Sequence, residues 1–292
     1  MTGVLVTGGT GKTGSSLTAL LRKRGVPVRV ASRMPPADAP DAVRFDWSDP
    51  ASHPVALRGM DQVYLVPPTD TTDPMPLVEP FLAEAERLRV RRVVLLGSAI
   101  VLPGATSALE LAARVRARPG WVVLRASGFM QNFLAPHPLG ERIRRRGEIR
   151  TAAGTGRVGW IDARDIAAVA ATLLTEADSH LDVQDDYVLT GPKALSYQDA
   201  AQIITAHTGR PVRVVPVGVA EQIDTYRASG MPDAFATALA AVDAGIRTGQ
   251  DDQVSTAVLE LTGRPPRSFA EFVQDHASQW GFRRHLRGLR RR

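Results

Sequence analysis

A run of glycines follows the first apolar segment. Val4-Leu5-Val6-Thr7 leads into Gly8-Gly9-Thr10-Gly11-Lys12-Thr13-Gly14, and the helical pattern SSLTALLRKRG comes directly after. Glycines at 8, 11 and 14 let the turn tighten, let the main chain approach a pyrophosphate, and let the helix lie close to the strand. A helix start also offers unpaired N–H groups and the positive end of the helix dipole, which suit phosphate. Thr10, Lys12 and Thr13 share the turn; Lys12 is either a phosphate neighbour or a solvated lysine at the helix start. The Gly-Lys-Thr ending is common to nucleoside triphosphate P-loops, but that motif needs a glycine where Val6 stands, so the triphosphate reading fails.

The second strand bears on which dinucleotide fits. A site for NAD places a carboxylate at the end of that strand to grip the ribose 2′-hydroxyl, whereas a 2′-phosphate calls for a guanidinium. Here the strand ends Ala31-Ser32-Arg33, with no acid in place. The expectation is NADP(H), with Ser32 and Arg33 at the extra phosphate and a plain surface arginine as the rival.

These residues need a parallel sheet to position them. Strands are predicted at residues 4–7, 28–31, 43–45, 62–66, 91–97, 121–125 and 187–191, with helical spacing over 13–24, 76–90, 107–118 and 163–175. The alternation implies right-handed crossovers and an α/β fold, a Rossmann-type doubly wound parallel sheet with a smaller, mostly helical C-terminal lobe. The expected division is a dinucleotide-binding domain over 1–191, with a contribution of 134–160 to the small lobe left open, a substrate lobe over 192–282 with one strand at 212–217, and a basic tail over 283–292. Proline-rich stretches at 34–40 and 66–76 read as loops at the carboxyl edge, where such sheets bind ligands. Ser196 with Asp199, and Ser268 with Glu271, have capping-box spacing, and Asp162 with Asp165 fits the same role better than acid/base chemistry.

Composition removes several functions. There is no cysteine, so thiol nucleophiles, disulfides and thiolate metal sites are out. The six histidines show no metal-ligand spacing, and no metal is expected. The formal charge of +6 is concentrated in RRHLRGLRRR at 283–292; without its arginines the basic and acidic residues balance, so no nucleic-acid partner is expected. No long apolar run and no charged leader stand out, which gives the expectation of a cytoplasmic protein, off the membrane, monomeric or homodimeric, acting on a small molecule.

Several segments together resemble the NmrA-like branch of the atypical short-chain dehydrogenase/reductases, which includes quinone reductases, azoreductase-like proteins and ergot-type iminium reductases. The matching pieces are VLVTGGTGKTG, VRFDWSDP, VVLLGSA, LRASGFMQNF, GWIDARDIAAVAA and YVLTGPKALS, spread over most of 1–215. The resemblance implies that Asp46 and Trp47 lie beside the adenine, Val66 and Pro67 along the ribose, Ser98 near the nicotinamide, and Gly128 and Phe129 beside the reacting ring. From the residues alone, Asp46 serves equally to close a turn, and Trp47 to pack.

The departure from the family is informative. Short-chain reductases carry a Tyr-x-x-x-Lys on the helix after the fifth strand, where the tyrosine passes a proton; the matching slots here hold Leu102 and Thr106. Reversible alcohol oxidation is therefore disfavoured. Electrophiles that tolerate hydride unaided fit better: a quinone, an azo compound or a cyclic imine. Tyr64, Ser98, Gln131, Asn132 and, more loosely, Tyr226 are candidate polar helpers, with catalytic roles unassigned. Tyr226, Met231 and Phe235 either line the substrate pocket or form core of the lobe. The alternatives are a regulator that senses NADP(H) and binds a protein partner without turnover, and a non-redox cyclase or isomerase.

Overall fold

The computed structural model describes residues 3–69, 71–100, 102–175 and 185–280. The tail over 283–292 lies outside the described residues. The strands are β1 (Val4–Val6), β2 (Val28–Ser32), β3 (Ala42–Arg44), β4 (Gln62–Leu65), β5 (Arg92–Ser98), β6 (Val122–Ala126), β7 (Glu148–Thr151), β8 (Arg157–Val158), β9 (Asp186–Leu189), β10 (Leu195–Ser196) and β11 (Arg213–Pro216). The helices are α1 (Lys12–Lys23), α2 (Ser52–Leu57), α3 (Met75–Arg87), α4 (Thr106–Arg116), α5 (Pro138–Arg146), α6 (Ala163–Thr175), α7 (Tyr197–Thr208), α8 (Val219–Ala228), α9 (Asp233–Arg247), α10 (Ala257–Thr262) and α11 (Phe269–His276). Periodicity alone gives no helix at α2, a six-residue segment that carries Pro54 in its first turn.

Seven strands form one parallel sheet in the order β3-β2-β1-β4-β5-β6-β9. The central strands β1 and β4 are buried along their whole length. Helices cover both faces of the sheet there, which is why these strands are apolar without alternation. Val4, Val6, Tyr64, Val94 and Leu124 pack with Leu17 and Leu21 of α1 and Ile166 and Ala170 of α6. Leu5, Val63, Leu65, Val93 and Val123 pack with Phe81 of α3 and Leu111 of α4 on the other face.

That division corrects one expectation. Passing from β4 to β5 to β6 to β9 the chain always steps in the same direction, yet α3 and α4 lie on one face and α6 on the other. The crossover through α6 therefore has the opposite hand to those through α3 and α4, against the usual rule. The long excursion from residue 127 to 162, which holds α5, β7 and β8, supplies the slack that lets the chain change face.

The same excursion joins the C-terminal part. β7 pairs in parallel with β11, Glu148 opposite Arg213, and β8 pairs antiparallel with β10. A third core forms from Met130, Phe133, Ile149 and Trp160 with Ile204, Phe272 and Trp280. α10 instead returns to the sheet, placing Ala257, Val258 and Leu261 in the core shared by α1 and α6. Ser196 and Ser268 both close capping boxes, with Asp199 and Glu271 as partners.

Candidate active site

The site grows from the end of β1. Thr7 Oγ1 donates to the Tyr64 carbonyl at 3.2 Å and accepts from Val66 N at 2.7 Å, fixing the end of β1 to the end of β4. Gly8 then turns with φ +61 and its carbonyl accepts from Gly11 N at 2.9 Å. A Cβ on Gly9 would stand 2.5 Å from Val30 Cγ1, and one on Gly14 would collide with the Gly8 carbonyl. Only glycine fits this turn.

The helix start above it is open. α1 begins with no side-chain cap and no acid in its first turn, whereas α7 and α11 are closed by capping boxes. Other helices, α4, α8 and α9 among them, also start without a side-chain cap; what sets the α1 start apart is the glycine-only turn beneath it. Gly8, Thr10, Gly11 and Lys12 are exposed at this edge, while Thr13 and Gly14 are buried beneath them.

Around this turn stand the other sequence-predicted residues. Ser32 Oγ accepts from Met34 N at 3.3 Å, and Arg33 beside it is exposed. Asp46 Oδ1 accepts from Ser48 N at 3.0 Å and Ser48 Oγ at 2.7 Å, so one carboxylate oxygen closes the local turn. Those bonds from Ser48 hold the Asp46 carboxyl below its usual range, with the Arg33 and Arg44 charges adding. Trp47 packs edge-on against Phe45 and Phe81, at 4.8 and 5.3 Å between ring centres. Val66 backs the glycine turn, directly beside the place a Gly8 Cβ would take, with Pro67 next in the chain.

Ser98 ends β5. Its Oγ donates to the Ile100 carbonyl at 2.7 Å and accepts from Ile100 N at 3.1 Å. Tyr64 needs correction as a polar helper: its ring is wholly buried beneath α1, its hydroxyl faces Thr13, and burial drives its pKa above the ordinary phenol range. It cannot reach a substrate, and period-two alternation in a strand covered on both faces gives no sign of that.

Across the edge, the segment leaving β6 supplies the opposite wall. Gly128 lies flat against the Trp160 ring, with no room for a Cβ, and Phe129 bridges to Ile161. Lys12 Nζ donates to Asn132 Oδ1 at 2.9 Å and lies 5.9 Å from the Phe129 ring centre. The glycine turn and the β6 exit are therefore tied together directly. Tyr226, Met231 and Phe235 sit on or between α8 and α9, where burial pushes the Tyr226 hydroxyl up to about 12.

Two groups that sequence spacing underrates hold this wall. Asp162 is fully buried and accepts from Gln131 Nε2 at 3.0 Å, Arg164 N at 2.8 Å and Arg164 Nη2 at 2.6 Å. Burial alone would raise its pKa, but the Arg164 bonds prevail and hold it below the carboxylate range. Gln131 Oε1 in turn accepts from Ala163 N at 3.0 Å, so the β6 exit is latched to the start of α6. Asp165 accepts from Arg267 N at 2.7 Å. Both acids are committed to structure. His137, which no spacing marks, caps α5 by accepting from Leu139 N at 3.3 Å, and burial together with the Lys12 charge pushes its pKa down to about 4.

Residues 8–177 match the NAD(P)H-binding family model. The chain belongs to this NAD(P)H-binding family. It is 41% identical over 279 residues to the uncharacterized oxidoreductase YesF of Bacillus subtilis, covering 95% of this chain and 96% of that protein. It is 32% identical over 290 residues to an NAD(P)H azoreductase of Xenophilus azovorans, covering 95% and 99%. The fold matches that of the NADPH-dependent quinone oxidoreductase QOR2 of Escherichia coli in complex with NADPH, with a TM-score of 0.79, 24% identity, and 93% and 99% of the two chains covered.

The Rossmann-like sheet with its helical C-terminal region and NAD(P)H-dependent oxidoreductase character hold, and the NmrA-like expectation is met in fold, with a TM-score of 0.71 and 14% identity to Nmra, a negative transcriptional regulator. Among the described residues there is no group of acids and histidines that could hold a metal ion, and no helix long and apolar enough to cross a membrane.

Proposed function

We propose that this protein is an NADPH-dependent reductase that passes hydride to a small electrophile, a quinone, azo compound or cyclic imine, with no Tyr-x-x-x-Lys acid. The observation that carries the reading is the pairing of an uncapped α1 start over a glycine-only turn with an exposed Arg33 at the end of the neighbouring strand. The amides of Lys12 and Thr13 would hold the diphosphate, and Arg33 with Ser32 the 2′-phosphate. Val66 and Pro67 would flank the ribose, Asp46 and Trp47 the adenine, and Ser98, Gly128 and Phe129 the nicotinamide end. The bound dinucleotide supplies the hydride; the protein excludes water and orients the acceptor.

The slots for the missing acid support the choice of substrate. Leu102 lies in the turn after β5 and Thr106 opens α4, and neither side chain passes a proton to an alkoxide. An azoreductase among the relatives and a quinone oxidoreductase among the neighbours in fold agree with this class.

The test is a titration of purified protein with NADPH and NADH by nicotinamide fluorescence, followed by NADPH oxidation over a panel of quinones, azo dyes and cyclic imines. Tight NADPH binding with turnover of at least one acceptor is expected. Binding without turnover across the panel would overturn the reductase reading, and equal affinity for NADH would overturn the role of Arg33.

A further inference from the structure

Asn132 is pinned from three sides. Its backbone N donates to the Phe129 carbonyl at 3.0 Å, its own carbonyl faces the His137 ring, and its Oδ1 takes the Lys12 ammonium at 2.9 Å. An ammonium has only donors to give, so it must meet the oxygen end of the amide and leave the nitrogen end facing away. That Nδ2 group, two N–H donors, has no protein partner among the described residues.

The charge behind the amide is unneutralised. Lys12 makes no ion pair with any described carboxylate, it leans on the Phe129 ring, and the adjacent His137 is held neutral by burial and by Lys12 itself. Although Lys12 is exposed, packing beside Phe129 partly desolvates its ammonium and lowers it from the usual lysine range. A cation bonded to one end of an amide strengthens the donor at the other end.

We propose that the side-chain NH2 of Asn132, held outward by Lys12, is the hydrogen-bond donor to the acceptor atom that gains negative charge when hydride arrives. The proposal rests on the reductase reading and narrows its substrate class. As hydride bonds to one atom of a quinone or azo group, a π bond of that group breaks and its electron pair moves to an oxygen or nitrogen, which becomes anionic. The acceptor is reduced by two electrons and the dinucleotide oxidised. Asn132 holds the anion until water delivers a proton. A cyclic iminium ends as a neutral amine and gains nothing from this donor, so quinones and azo compounds are the preferred class.

The test uses 4-nitrophenol, a redox-inert phenol whose ionisation is read by its colour. It is titrated in the presence of NADP+ with wild-type protein, Asn132→Ala, Asn132→Asp and Lys12→Met, folding being checked by thermal melts. In the wild type the bound phenol should ionise roughly tenfold more readily than in buffer, the scale of one charge-assisted bond. Asn132→Ala and Lys12→Met should abolish the gain, and the isosteric Asn132→Asp should reverse it.

Equal ionisation in all four proteins, or no uptake of the phenol by the wild type, overturns the proposal. In turnover, Asn132→Ala should slow quinone reduction at least tenfold more than iminium reduction, and equal slowing counts against it. A wild type that reduces nothing sinks the reductase reading instead, while the colour titration still decides the role of Asn132.

Discussion

Gly14 rests on Gly8 so closely that a Cβ on the first would be driven into the carbonyl oxygen of the second. The first turn of α1 thus stands on the turn before it with only hydrogen between them. Gly14→Ala must push α1 away from β1 or open the turn. Overpacking of this kind costs about 1–3 kcal/mol, and it misplaces the amides proposed to hold the diphosphate. The expected outcome is a lower urea midpoint together with dinucleotide affinity weakened at least tenfold. A variant that binds as tightly as the wild type would show that the turn does not hold the diphosphate.

Arg33 is exposed at the end of β2, with Asp46 as a nearby charge. Its folded-state role is small, so Arg33→Ala should leave the melting temperature in place. Losing a charge-assisted bond of about 1.5–3 kcal/mol should weaken NADPH binding roughly ten- to a hundredfold. NADH, which lacks the 2′-phosphate, should be unaffected within about twofold. Equal losses for both dinucleotides, measured by fluorescence titration, would place Arg33 elsewhere.

How much of this was legible beforehand varies with range. The glycine turn, β1 and α1 are contiguous, and their types and spacing dictate one local geometry; the capping boxes at Ser196 and Ser268 are legible for the same reason. Tyr64 misleads because a strand covered on both faces carries no period that tells an inward hydroxyl from an outward one. The Lys12 contact to Asn132 spans 120 residues and the Arg267 contact to Asp165 spans 102, and no local pattern encodes either. The face on which α6 packs is likewise illegible locally, because the helix is buried at most of its positions and follows a long excursion through α5, β7 and β8.

Burial and the Lys12 charge hold His137 neutral down to a pKa of about 4, against an ordinary 6.5. As pH falls, the unfolded chain takes up this proton first. Stability is therefore complete above 6.5 and is lost between 6.5 and about 4, by at most about 3 kcal/mol. His53, lowered by burial among Phe45 and Phe81, adds a loss of the same sign. His137→Asn keeps an acceptor for the Leu139 amide and removes the titration, so its acid limb should be shallower over that window. Denaturation curves at closely spaced pH values decide the matter, and parallel profiles would refute it.

Asp162 carries the latch between the β6 exit and α6, and its carboxylate is sealed from solvent. Asp162→Asn leaves Arg164 facing a neutral amide and breaks the set of bonds that also orients Gln131. Removing one member of a buried pair costs about 3–5 kcal/mol, though Arg164 retains Asp275, so about 3 is expected. Because Gln131 precedes Asn132, acceptor turnover should fall further than dinucleotide affinity. A variant with the wild-type urea midpoint would mean that the latch is ornamental.

Ser98 ends β5 with its hydroxyl hydrogen spent on the Ile100 carbonyl at 2.7 Å. Freeing it would break the bend at residues 99 and 100 that follows β5. A proton donor in the transition state is worth roughly 10²–10⁴ in rate, so a Ser98→Ala variant separates two roles by magnitude. As a turn former at the end of β5, Ser98 should cost less than about tenfold in kcat on removal. The pH dependence of kcat should keep its shape. A loss beyond a hundredfold with an altered pH profile would make Ser98 the acid, and would require its hydroxyl to leave Ile100 when substrate binds.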